Sequence, residues 1–64
     1  MLKIGNVYYS KQNGSEWLIW HEIQKIENNI VTLWNYGHDT ECFSSSFYVK
    51  EIKSMIRKGL LKEA

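Results

Sequence analysis

Apolar and polar residues alternate through the first two thirds of the chain, and the repeat becomes helical in the last third. Three runs are rich in β-branched and aromatic residues: Val7-Tyr8-Tyr9, Trp17 to Ile23 and Ile30 to Trp34. They are punctuated by Asn13-Gly14 and Asn28-Asn29. Asn-Gly between two such runs is a strong hairpin signal, because a tight two-residue turn needs positive φ at both central positions. The pattern predicts a strand from Ile4 to Ser10, bent or bulged at Gly5-Asn6, and a second from near Glu16 through Ile23. A third covers Ile30 to Trp34 and reaches toward Tyr36. After a turn at Gly37-His38-Asp39 a short fourth covers Glu41-Cys42-Phe43. Between Ile23 and Ile26 the apolar spacing slips from two to three. Side chains would land on the wrong face there unless a bulge or sharp bend intervenes.

Beyond Ser46 the apolar positions are Val49, Ile52, Ile56 and Leu60, with Met55 on the shoulder, which makes one inward stripe of a helix. The spacing predicts a helix within about two residues of Tyr48 to Lys58. A serine of the Ser44 to Ser46 run is its expected N-cap. Gly59, just after Arg57-Lys58, is its expected stop, and the two cations suit the negative helix end. The chain therefore reads as one domain over residues 1–64: mainly β with one C-terminal helix, ββββα, in a bent antiparallel meander.

A bent meander closed by a terminal helix resembles the small SH3-like barrels, in which a coiled five-strand sheet folds on itself. The resemblance rests on Lys3-Ile4-Gly5-Asn6-Val7-Tyr8-Tyr9, the bent Trp17 to Ile26 stretch, and Ile30 to Trp34 after its Asn-Asn turn. It implies a fifth strand, for which Leu60 to Glu63 is the available segment. The short Lys/Ile/Asn-rich style also resembles phage and bacterial accessory proteins.

Composition narrows the function classes. A 64-residue chain buries only about 60% of its unfolded surface. The single cysteine, Cys42, cannot close an internal disulfide, so stability rests on packing, and 14% aromatic residues suit that. A lone cysteine and no signal-peptide pattern give the expectation of a cytoplasmic setting. No apolar run approaches the roughly 20 residues of a membrane span. A net charge of +1 is too balanced to favour nucleic acid on composition alone.

His21, His38 and Cys42, with Asp39 and Glu41 nearby, lack the paired spacing of a zinc site, so no metal or other cofactor is expected. His38-Asp39 beside Cys42 contains the residue types of nucleophilic catalysis, but neighbours in a tight turn point in different directions. Glu16, Glu22, Glu27 and Glu41 on an open sheet would gain no raised pKa for acid catalysis. The expectation is a protein that is not an enzyme.

The aromatics are the sharper signal. A two-residue loop at Asn13-Gly14 would set Tyr9 opposite Leu18, Tyr8 opposite Ile19 and Val7 opposite Trp20. Opposed residues share a face. One face then carries Val7, Tyr9, Leu18 and Trp20, and the other Tyr8, Trp17, Ile19 and His21. Both are apolar, although a half-buried hairpin needs only one apolar face. Either the fold covers both sides or one side receives a partner. This reading centres a partner surface on Tyr8, Trp17, Ile19 and His21, extended by Trp34 and Tyr36. The function expected is a non-catalytic small binding protein that docks on, and inhibits or modulates, a larger protein, with homodimerisation as a variant. The alternative is a nucleic-acid-binding module that stacks bases on the rings and uses the helix cations Lys50, Lys53, Arg57 and Lys58.

Overall fold

The computed structural model describes residues 2–11, 16–37 and 41–64. It is a five-stranded antiparallel sheet with one helix. The elements are β1 (Val7–Lys11), β2 (Leu18–Glu27), β3 (Ile30–Gly37), β4 (Phe43–Tyr48), α1 (Val49–Arg57) and β5 (Lys62–Glu63). The strand order is β4-β3-β2-β1-β5, so the sheet has two edges and does not close into a barrel.

The β2–β3 hairpin turns at Asn28 and Asn29, whose φ values of 52° and 64° are the paired positive values of a tight hairpin turn. Asparagine tolerates this region because its short polar side chain bonds locally. The slip in apolar spacing is a β-bulge: Ile23 pairs with Leu33 and Lys25 with Thr32, leaving Gln24 as the extra residue. The bulge puts Ile26 opposite Val31, so Ile23 and Ile26 reach the same core. The expected bend near the start is also present. Gly5 has φ of 93°, its N–H donates to the Ile23 carbonyl at 2.8 Å, and β1 begins at Val7 instead of Ile4.

Three expectations are corrected. β1 and β2 pair with Tyr8 opposite His21 and Tyr9 opposite Trp20, two positions from the register of a tight Asn13-Gly14 turn. A slip of two preserves face membership, so the two face sets stand; Asn13-Gly14 lies outside the described residues. The fourth strand is Phe43–Tyr48 instead of Glu41-Cys42-Phe43, and the serines are strand residues rather than a helix cap. The N-cap position is Tyr48, whose backbone N–H donates to Glu51 Oε1 at 2.9 Å from the third helical position.

The helix ends as expected. Gly59 has φ of 79°, and the Leu60 N–H returns to the Met55 carbonyl at 2.9 Å, which satisfies a terminal carbonyl. The chain then drops Leu61 into the core and runs β5 antiparallel to β1. The core of Tyr8, Ile23, Val31, Leu33, Ile52 and Leu61 lies between one sheet face and α1. Val49, Met55 and Ile56 seal its margin. Among the described residues no helix is long and apolar enough to cross a membrane.

Candidate interaction surface

Pairing across the sheet assigns every strand residue to a face, because directly opposed residues point the same way. Tyr8, His21 and Asn35 form one row on the helix side, followed by Ile23 and Leu33. The opposite side carries the row Lys62, Tyr9, Trp20 and Tyr36, on β5, β1, β2 and β3. Its next row is Val7, Glu22, Trp34 and Ser44. Helix α1 packs on the other side, so no secondary-structure element of the described residues covers this one.

Three adjacent strands therefore present a band of Tyr9, Trp20, Tyr36 and Trp34. The Tyr9 and Trp20 rings lie 5.4 Å apart between centroids with a 54° tilt, a packed aromatic pair that gives the band a firm centre. Tyr9, Trp20 and Tyr36 are half-buried by their neighbours, whereas Trp34 keeps 39% of its surface exposed. Further along the same face lie Ile30 and Tyr48, both exposed and directly opposed. The charges among these rings are mixed. Lys11, Lys25 and Lys62 stand with Glu22 and Glu27, and Lys25 pairs with Glu27 at 3.6 Å in an exposed contact of little energetic weight.

The six residues expected to form one partner surface are divided between the two faces. Tyr8 is 5% exposed and belongs to the core, and His21 and Ile19 are on its side of the sheet. The physical reason is the chain after the helix: Leu61 is buried with Tyr8, and Leu60 and Leu61 line the cleft that His21 borders. Trp17 is 49% exposed just before β2, while Trp34 and Tyr36 lie on the opposite face. Sequence reasoning missed Tyr9 and Trp20 as surface residues. It had placed them together, but nothing in a single sequence says which of two apolar faces the helix will choose.

His21 has a definite task on the covered side. The Asn35 side chain is 2% exposed, and its Nδ2 donates to the Phe43 carbonyl at 3.2 Å and to Ser45 Oγ at 2.9 Å. Those bonds orient the amide, leaving Oδ1 to accept from His21 Nδ1–H at 2.5 Å. The His21 Nε2 is then the acceptor for the Ser10 hydroxyl at 2.8 Å. The chain Ser10–His21–Asn35–Ser45 crosses β1, β2, β3 and β4 and borders a cleft of about 400 Å³ that Phe43, Phe47 and Met55 also line. The order of groups is that of a nucleophile, a base and an orienting amide. Oxyanion stabilisation, however, needs uncommitted donors beside the hydroxyl, and Ser10 sits inside a strand laddered to β2. What the network does is satisfy a buried amide and lock four strands in register.

The helix cations are exposed, and they sit across the sheet from the aromatic band. Lys50 and Lys53 line a groove of about 660 Å³ with Asn28, Asn29 and Tyr48; Arg57 and Lys58 are not part of it. Cys42 is a free, exposed thiol, and among the described residues no group of His, Cys, Asp and Glu could hold a metal; His38 and Asp39 lie outside them. No protein-family model, no curated protein and no solved structure matches the chain, so the reading of its function rests on these residues alone.

Proposed function

We propose that the protein is a non-catalytic binding module that docks on a larger protein through the uncovered sheet face and so modulates it. The observation that carries this reading is the row Tyr9, Trp20 and Tyr36 with the exposed Trp34, on the side of the sheet that no helix covers. Trp and Tyr are the usual anchors of protein interfaces, and a rim of mixed charge suits a protein better than a polyanion. The five strands and the bulge in β2 support the SH3-like resemblance, although the sheet keeps two edges and is not closed into a barrel.

The nucleic-acid alternative needs rings and cations on one surface, since stacking and phosphate neutralisation act on the same strand. Here Lys50, Lys53 and Arg57 lie on the helix, away from Tyr9, Trp20, Tyr36 and Trp34, and the single ring of Tyr48 beside Lys50 and Lys53 is too small a stacking platform, which weighs against it. The test is capture from a host lysate with the wild-type chain and a Trp34→Ala variant, each with and without nuclease. A protein retained by the wild type, lost with Trp34→Ala and indifferent to nuclease supports the reading. Retention by both chains, or nuclease-sensitive capture that disappears with Lys50→Glu/Lys53→Glu, overturns it.

A further inference from the structure

The sheet's two edges are built differently. β5 is two residues long and both are charged, Lys62 and Glu63, which is how natural sheets blunt an edge. β4 is six residues long, Phe43-Ser44-Ser45-Ser46-Phe47-Tyr48, with no charge, no proline and no break in its pairing to β3. Such an edge is a template for another strand.

The direction of its backbone groups follows from three bonds. The Val49 N–H donates to the Asn29 carbonyl at 2.8 Å, so odd-numbered residues here face β3. The Phe43 carbonyl, which accepts from Asn35, agrees. The Tyr48 N–H faces outward and is taken by Glu51. By alternation Ser44 and Ser46 present their N–H and C=O groups outward. No hydrogen bond is formed by those groups among the described residues.

We infer that β4 is a self-complementary edge through which two copies of this chain pair antiparallel about a twofold axis at Ser45. Phe43 to Phe47 reads the same in both directions. With the axis at Ser45, Ser44 meets Ser46 of the second copy and Ser46 meets its Ser44, as two hydrogen-bonded pairs of outward groups. Phe43 meets Phe47 on the helix side of the sheet, which gives the 48%-exposed Phe43 ring an aromatic partner. The same register carries Glu41 of each copy to the start of the other's helix beside Lys50, a carboxylate placed against a lysine and a positive helix end. Antiparallel symmetry repeats that complementary contact on both sides. A pairing this short buries less than the roughly 1,600 Å² of a standard interface, so the dimer forms with rising concentration and is not obligate. It also sets both aromatic faces on the same side of one continuous sheet.

Sedimentation equilibrium across a concentration series reads the assembly directly. The wild type is expected to double its mass toward millimolar concentration. Ser46→Pro removes an outward N–H and leaves the β3 ladder intact, so it is expected to stay monomeric with an unchanged far-UV spectrum. Oxidation gives the register independently. In a Cys42→Ser background, Ser45→Cys puts two thiols on the axis, where opposed Cα atoms are about 4.5 Å apart and a disulfide can close. It is expected to form a covalent dimer well ahead of Ser44→Cys. A wild-type chain monomeric at millimolar concentration overturns the inference. So does a dimer that survives Ser46→Pro, or equal cross-linking of the two cysteine variants.

Discussion

The two faces of the sheet are made of the same kinds of residue and have opposite fates. The helix side holds Tyr8, Ile23, Val31 and Leu33, closed by Ile52 and Leu61 and completed by a polar chain from Ser10 to Ser45. The other side holds Tyr9, Trp20, Tyr36 and Trp34 in rows as regular, with no element over them. Apolar content therefore does not distinguish core from surface in this protein. What distinguishes them is α1. Ile52 enters the sheet's helix side without any exposure, and the cations of the helix are exposed. A face that is apolar and covered contributes stability. A face that is apolar and uncovered is, on the proposed reading, the surface left for recognition.

The comparison breaks hardest at Ile52. Replacing it with Ala should cost roughly 2–5 kcal/mol, the range for removing a buried large side chain. A small domain has a total stability of about 5–15 kcal/mol, so the variant should lose a substantial share of its urea-unfolding midpoint. A shift worth less than about 1 kcal/mol would mean that the helix is not what closes the core.

Asn35 tests the polar half of the covered face. Asn35→Ala leaves the His21 Nδ1–H and its neighbours without their partner, at about 1–3 kcal/mol for each buried group left unsatisfied. The cost should be sub-additive with His21→Ala, because the two residues share one bond. Additive losses in a double-mutant cycle would show that the chain from Ser10 to Ser45 does not act as a unit.

How much of this division was legible in the sequence depends on the signal each residue carries. The helix was legible because Val49, Ile52 and Ile56 repeat at 3.6-residue spacing and Gly59 can take a positive φ that side chains resist. The irregularity in β2 was legible because a slip from two to three in apolar spacing needs a bulge or a sharp bend, and the bulge is what β2 has. β4 was not. Its three serines carry no strand propensity of their own, and they pair because β3 offers them a ladder. The burial of Asn35 was equally hidden, since its partners come from β2 and β4 and no local pattern announces them. The choice of covered face, and with it the candidate site, is a tertiary decision. It left the face sets intact and put Tyr8 in the core, while Trp17 stays exposed and Tyr9 and Trp20 lie on the side without a helix.

Gly59 sharpens the role of the helix end. Its φ of 79° is the left-handed region, and an added Cβ would meet nothing within 4 Å. Gly59→Ala should therefore cost about 1 kcal/mol from backbone strain alone, without a clash. Thermal unfolding of Gly59→Ala beside Gly59→Asn checks this, since asparagine tolerates the region and should lose less.

The smallest expected stability change belongs to Trp34, and it separates the two faces most cleanly. Trp34 lies between Glu22 on β2 and Ser44 on β4, with 39% of its surface exposed and no helix above it. Truncation to Ala leaves no cavity in the core, so unfolding should shift by less than about 1 kcal/mol. If the uncovered face serves recognition, the same substitution removes an anchor ring, and truncating a hot-spot aromatic costs about 2 kcal/mol or more in binding. Measured together, the two numbers must diverge: stability nearly intact, partner affinity reduced about 30-fold or more. A Trp34→Ala chain that unfolds as readily as Ile52→Ala would show that this side is packed after all. One that keeps both stability and affinity would leave the rings of the open face without a part in recognition.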